Sequence, residues 1–95
     1  MFIVFLKFAD NKQHAADYMQ GHMEWIEKGV ADDVFLLVGS LQPNQGGGIL
    51  AYNTSMNELQ ERVKADPFVQ QNVVKAEVYE LSAAKADQRL SFLLQ

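Results

Sequence analysis

The sequence predicts a single α+β domain whose elements follow the order βαββαβ. Three observations support this prediction. The chain has 95 residues, of which 48% are hydrophobic and 21% charged, and this suits one globular domain. Several short segments have the apolar or alternating composition of strands. Two longer segments place hydrophobic residues at helical spacing.

The first strand is predicted over Phe2–Phe8, where β-branched and aromatic residues dominate. Side chains alternate across a strand, so Val4 and Leu6 point to one face, and Ile3 and Phe5 point to the other. Both faces of this strand are therefore apolar. A sheet with its own helices on one face and solvent on the other needs apolar side chains only on the helix-covered face. We therefore expect the second face to be covered as well.

The first helix is predicted over residues 12–30. On a helical wheel its hydrophobic residues form one stripe centred on Met19, with polar residues on the opposite side. The other members of this stripe are Ala15, Met23, Ile26 and Val30. Gly29 can help to end the helix.

The second strand is predicted over residues 34–41, a continuous apolar run that is typical of a strand buried on both faces. Residues 43–48 contain Pro43 and three consecutive glycines, so they are predicted to form the loop of a hairpin. The third strand then follows over residues 48–53.

Ser55 and Glu58 have the spacing of a capping box, which predicts the start of a second helix. Asp66 and Pro67 suit the N-cap and the first position of a further helical turn. The fourth strand is predicted over residues 73–81. The domain is therefore expected to span residues 1–81. The tail over residues 82–95 ends in apolar residues, and we expect it to dock on the body or on a partner subunit.

This order of elements is the split βαβ, or ferredoxin-like, arrangement, with a four-stranded antiparallel sheet and two helices on one face. The other face carries apolar side chains from the first two strands. Its simplest burial is against the same face of a second subunit. The sequence therefore predicts a homodimer through the open sheet face.

Composition limits the functions that are open to the chain. The formal net charge is -4 at pH 7, which disfavours binding to nucleic acids. Cysteine is absent, so disulfides and thiolate chemistry are excluded. The two histidines, His14 and His22, lack the spacing and partners of a metal motif, and neither a metal nor a cofactor is expected. The apolar N-terminus is too short for a secretion signal or a bilayer span, so we expect a cytoplasmic protein that does not bind membranes.

His22 is the candidate of greatest chemical interest. It lies at the border of the apolar stripe, with Tyr18 and Trp25 nearby on the helix. An imidazole can accept and release protons near neutral pH, and the two aromatic rings could line a pocket for a flat organic ligand. The alternative is that His22 only packs and forms hydrogen bonds, while Tyr18 and Trp25 pack at the edge of the stripe.

Two other segments complete the candidate site. Asp66 could accept a hydrogen bond from the imidazole of His22, which would fix its tautomer and raise its basicity. Alternatively, Asp66 only caps a helix, and Phe68 anchors that turn in the core. Ser40, which follows Gly39 at the end of the second strand, could offer its hydroxyl group to a ligand.

These features resemble the YCII-related (YciI-like) family over residues 1–81. The first feature is the short N-terminal strand. The first helix then contains His22, with Gly29 near its end. Gly39 follows an apolar strand, and the tripeptide Asp66-Pro67-Phe68 precedes the last strand. The resemblance implies a dimeric α+β barrel formed by two facing sheets. It also implies a small enzyme in which His22 is the acid/base and Asp66 its partner. The predicted ligand-binding residues are Tyr18, Trp25, Gly39, Ser40 and Phe68.

The chain departs from the family pattern at two places. Many relatives have Gly-Pro where this chain has Gly39-Ser40, so the rim of the pocket is expected to differ. A basic residue often shortly precedes the histidine in the family, whereas residues 18–21 contain none here. An anionic substrate is therefore less favoured.

Three functions remain open from the sequence. The first is a small enzyme without a cofactor, in which His22 moves a proton on a small cyclic or aromatic molecule, as a lyase, an isomerase or a hydrolase. The second is a module that binds or senses a small metabolite in the same pocket without catalysis. The third is a structural protein whose sheet face and apolar tail bind a partner, and it requires no enclosed polar pocket.

Overall fold

A computed structural model of the chain describes residues 1–94. Its strands are β1 (Phe2–Phe8), β2 (Phe35–Leu41), β3 (Gly46–Ala51) and β4 (Val74–Glu80), and its helices are α1 (Ala15–Ala31), α2 (Met56–Lys64) and α3 (Pro67–Gln70). The strands form one sheet in the order β2-β3-β1-β4, and all neighbouring pairs are antiparallel. This confirms the predicted ferredoxin-like α+β arrangement.

The register of the sheet separates a helix-covered face from an open face. Val4 of β1 pairs with Ile49 of β3 and Val78 of β4, and paired residues of antiparallel strands point to the same side. Val4 is fully buried and Ile49 nearly so, so this row lies under the helices. The next residue of β1, Phe5, points to the open face and is partly exposed.

The glycine run belongs to a strand, so the predicted start of β3 is wrong. β3 begins at Gly46, and Gly46 and Gly47 pair with Lys7 and Leu6 of the central strand. Pairing on both sides overrides the weak strand preference of glycine. The hairpin loop is therefore shorter than the sequence predicted.

The predicted burial of β2 on both faces is also not observed in the single chain. β2 lies at the edge of the sheet, and Leu37 has 61% of its surface exposed. Only one face of this strand is covered by α1, because the other belongs to the open side of the sheet.

The predicted centre of the α1 stripe is wrong. The buried residues of α1 are Trp25 and Gly29, whereas Met19 and Met23 are 44% and 45% exposed. The reason is the close approach of helix and sheet at Gly29, where a Cβ would overlap the ring of Phe35. A residue without a side chain lies at the tightest contact, and the helix turns Trp25 inward with it.

Two contacts hold α1 against α2. The ring N–H of Trp25 donates a hydrogen bond to the carbonyl oxygen of Arg62 at 2.8 Å. The Arg62 guanidinium also lies 3.1 Å from Asp32 Oδ2 and lowers the pKa of that carboxyl. This ion pair is therefore present at neutral pH, and its contribution is lost as the pH falls through the lowered pKa. The predicted capping box of α2 is also formed between Ser55 and Glu58.

The tail forms 3-10 turns over Gln88–Leu94. The ring of Phe92 lies 5.6 Å from that of Tyr52 in an edge-to-face contact, while Leu90 and Leu94 remain 43% and 45% exposed. Docking of the tail as a whole stays a prediction, and its last residue, Gln95, lies outside the described residues. Within residues 1–94, none of the helices has the length and apolar character needed to cross a bilayer.

Gly29→Ala is expected to lower the free energy of unfolding by about 1–3 kcal/mol, because the added methyl group overlaps the Phe35 ring and forces helix and sheet apart. Urea unfolding measures the change. Gly39→Ala is the matched control, since no atom lies within 4 Å of the added carbon. An equal loss in both variants would contradict the close-approach argument.

Candidate active site

The imidazole of His22 is held between aromatic rings on the inward side of α1. Its side chain is 12% exposed. The ring stacks on Phe68 with a centroid separation of 3.9 Å and an interplanar angle of 5°. Trp25 lies on the same helix with its ring 5.9 Å from that of His22. This packing fixes the plane of the imidazole.

Asp66 is the hydrogen-bond partner of this histidine. Its Oδ1 lies 2.8 Å from Nδ1 of His22, and Asp66 is fully buried. A carboxylate accepts hydrogen bonds, so Nδ1 carries the proton and Nε2 is left as the basic nitrogen. The pair thus has one defined tautomer.

Local sequence places the carboxylate at this point. Asp66 is the N-cap of α3, with Pro67 at the first helical position, and the same Oδ1 accepts the N–H of Phe68 at 3.0 Å. α3 packs closely on α1 at Gly21, where a Cβ would lie 3.0 Å from Cγ of Pro67. A larger residue at Gly21 would push α3 outward, and Asp66 with it. The helix cap and the contact with His22 are therefore one structural unit.

The second carboxylate oxygen, Oδ2 of Asp66, is buried without a hydrogen-bond partner among residues 1–94. A buried carboxylate is costly unless its charge is compensated. The imidazole of His22 is the titratable group in direct contact with it. The His22 ring is therefore the side chain that compensates the buried carboxylate, through the hydrogen bond to Oδ1.

A cavity of about 470 Å³ lies beside His22, between α1 and the sheet. On the helix side its wall is formed by Met19, Met23 and Ile26 together with His22. On the sheet side it is formed by residues of all four strands, among them Leu6, Val38, Ser40 and Gly47. Its size suits a small organic molecule.

The polarity of this cavity is low. Within the described chain its lining contains no Asp, Glu, Lys or Arg, and His22 and Ser40 are its polar side chains. A carboxylate or phosphate ligand would find no fixed countercharge here. The wall instead suits an uncharged ring that carries a hydrogen-bonding group.

The structure brings most of the predicted site residues together. His22, Gly39, Ser40 and Phe68 line the cavity, and Asp66 lies directly behind the imidazole.

Tyr18 and Trp25 are not part of the cavity wall. Tyr18 packs against the core, and Trp25 is 9% exposed with its N–H bound to Arg62. Their assignment to ligand binding stays a prediction.

Sequence reasoning did not assign Met19, Met23 or Gly47 to the cavity wall. The two methionines fit a helical stripe, and this pattern predicts core positions for them. Trp25 and Gly29 lie on a different face of the same helix. This second candidate face is the signal that could have identified which side of the helix is buried. No group of three His, Cys, Asp or Glu side chains within residues 1–94 is arranged to hold a metal ion.

The sequence profile of the YCII-related domain matches residues 1–82. The chain belongs to the YCII-related family. This confirms the resemblance inferred from His22, Gly39 and the Asp66-Pro67-Phe68 tripeptide. No curated protein matches the sequence.

Among solved structures, the fold is similar to that of 5-chloro-2-hydroxyhydroquinone dehydrochlorinase (TftG) from Burkholderia phenoliruptrix AC1100, in complex with 2,5-dihydroxybenzoquinone. The TM-score is 0.69, the sequence identity is 16%, and the match covers 85% of this chain and 93% of that one. At this identity the similarity establishes a common fold for the two proteins. The matched region includes nearly the whole of the TftG chain.

Asp66→Ala is expected to lower the free energy of unfolding by about 2 kcal/mol or more. Removal of the N-cap costs about 1 kcal/mol, and the unpaired N–H of the His22 ring costs about 1–3 kcal/mol. The same substitution in a His22→Ala background is the matched control, because the ring N–H is then absent and only the N-cap is lost. Urea unfolding at pH 7 measures the loss in each background, and an equally large loss in the two would contradict this account.

Proposed function

We propose that the protein is a small enzyme that performs acid/base chemistry on an uncharged or phenolic ring compound bound in the cavity beside His22. The observation that carries the proposal is the 2.8 Å contact between Nδ1 of His22 and Oδ1 of the fully buried Asp66. This contact orients the imidazole and leaves Nε2 as the basic nitrogen, which is what a general base requires.

The contact supports a defined role for each residue. Nε2 of His22 is the acid/base, and it takes a proton from a hydroxyl group of the bound molecule. The resulting imidazolium is stabilised by Asp66, which orients the ring and does not itself take the proton. The O–H electron pair forms a carbonyl group, and a ring carbon takes the proton back from the imidazolium, which gives an isomerisation. If that carbon carries a leaving group, removal of a second hydroxyl proton forms a second carbonyl group as the leaving group departs with the electron pair of its bond to carbon, which gives an elimination. Phe68 holds the ring in place through stacking.

The class of substrate follows from the cavity wall. A ring compound fits between the apolar residues of α1 and the sheet, and Ser40 can hydrogen-bond to a ring substituent. Methionine side chains at the mouth contact aromatic rings favourably. TftG carries the name of an enzyme acting on a chlorinated hydroxyhydroquinone and is bound to a quinone. We extend this class of hydroxylated aromatic compounds to the present protein.

The second candidate function is binding or sensing of such a molecule without turnover. The low polarity of the wall favours it, because His22 and Ser40 are the polar side chains available there. The two functions separate on the fate of the ligand. A compound that binds saturably and is recovered unchanged identifies a binding module, and a product that accumulates beyond one equivalent identifies an enzyme.

His22→Ala is expected to lower kcat/KM by about 100- to 10,000-fold, because the proton acceptor is lost. The assay measures chloride release and absorbance change with a panel of chlorinated and hydroxylated hydroquinones, beginning with 5-chloro-2-hydroxyhydroquinone. His14→Ala is the matched control, since His14 is an exposed histidine outside the cavity. A folded His22→Ala protein that turns over an identified substrate at the wild-type rate would refute the mechanism.

We further propose that the protein is a homodimer through the open sheet face. This face carries Ile3, Phe5, Leu37, Leu41 and Leu50 around a depression of about 270 Å³. Leu37 and Tyr79 are 61% and 51% exposed in the single chain. Exposed apolar groups on one face are typical of a surface that another subunit covers.

Leu37→Asp is expected to convert the dimer to a monomer, because it places a charge in the apolar interface. Sedimentation velocity at micromolar concentration measures the mass. Gln13→Asp adds the same charge at an exposed position before α1 and should leave the dimer intact. A wild-type protein that sediments as a monomer would contradict the proposal.

A further inference from the structure

The sheet wall of the cavity has a gap at Gly47. This residue pairs with Leu6 on one side and with Ser40 on the other. Directly paired residues of antiparallel strands point to the same face, and Leu6 is 3% exposed beneath the helices. Gly47 therefore occupies the cavity side of β3, in a row where both neighbouring strands contribute a side chain.

The backbone does not require glycine at this position. Gly46 does require it, because its φ is 119° and a Cβ there would overlap the carbonyl oxygen of Leu6. Gly46 is the glycine with a positive φ within residues 1–94. A Cβ built on Gly47 would meet only the carbonyl oxygen of Gly39, at 3.5 Å, which is an ordinary contact. The missing side chain at position 47 leaves space in the cavity and serves no constraint of chain geometry.

We propose that Gly47 sets the size of the ring system that the cavity admits. The proposal rests on the proposed function, because it takes the cavity beside His22 as the ligand site. A side chain at position 47 would enter the cavity from the sheet, opposite α1, and would fill the space between Ser40 and Leu6. A single ring can still lie against His22 when this space is filled. A fused pair of rings needs it.

A Gly47 variant tests the proposal only if it folds as well as the wild type, so that weaker binding cannot come from misfolding. Glycine weakens a strand interior, and valine suits one. Gly47→Val should therefore have a melting temperature equal to or above that of the wild type. If binding falls in this variant, the loss comes from the filled cavity and not from unfolding.

The experiment measures dissociation constants for phenol and 2-naphthol by titration calorimetry, with the full chain as wild type, Gly47→Ala and Gly47→Val. Ala76→Val is the matched control, because Ala76 pairs with Leu6 on the same face of the sheet but lies outside the cavity. We expect Gly47→Val to weaken 2-naphthol binding about tenfold or more, with Gly47→Ala intermediate. Phenol binding should change less than about threefold, and Ala76→Val should bind both compounds as the wild type does.

The outcomes separate this inference from the proposed function. If the wild type binds both compounds and Gly47→Val weakens both alike, or neither, the inference about Gly47 is overturned while the aromatic cavity stands. If the wild type binds neither compound, the proposed ligand class is overturned, and the inference falls with it. Selective loss of the two-ring compound in a variant that melts no lower than the wild type supports the inference.

Discussion

The burial of one carboxylate organises this molecule. Asp66 is inaccessible to solvent, and a charge in that position requires partners in fixed places. The chain supplies them from two elements: the Phe68 N–H at the start of α3 and the His22 ring on α1. Because one oxygen atom accepts both hydrogen bonds, α3 cannot move relative to α1 without loss of the cap, the tautomer or both. The contact at Gly21 and Pro67 brings the two helices near enough for this arrangement.

The rotation of α1, which is decided by the close contact of Gly29 with Phe35, determines which side chains line the cavity. With Trp25 and Gly29 turned to the core, the methionines of α1 are left at the mouth of the cavity. These apolar side chains, which the stripe predicts to lie in the core, are therefore accessible to a ligand in the cavity. Methionine is flexible and polarizable, so such a wall can adapt to rings with different substituents.

Much of the fold could be predicted from the sequence, because strong local signals coincide with it. The apolar strand Phe2–Phe8, the capping box at Ser55 and the Asp66-Pro67 pair each define an element by local physics, and the structure contains all three. The residues alone left the contact of His22 with Asp66 as one of two interpretations, beside a carboxylate that only caps a helix, and the family resemblance favoured the contact.

The parts that could not be predicted depend on contacts between distant segments. The facing of α1 is decided at Gly29 by the ring of Phe35, and glycine contributes nothing to a hydrophobic stripe. The start of β3 is decided by pairing of Gly46 and Gly47 with β1, which a turn-like composition conceals. Trp25 has both an apolar ring and a polar N–H, and its partner is a main-chain carbonyl that no side-chain pattern marks.

The small residues at the end of the hairpin have one more consequence. Gly39, Ser40 and Gly48 border both the cavity under α1 and the depression on the open face. At these positions the main chain, with few side-chain atoms, therefore separates the cavity from the depression. A molecule in the cavity and a molecule on the open face would therefore contact opposite sides of the same peptide groups.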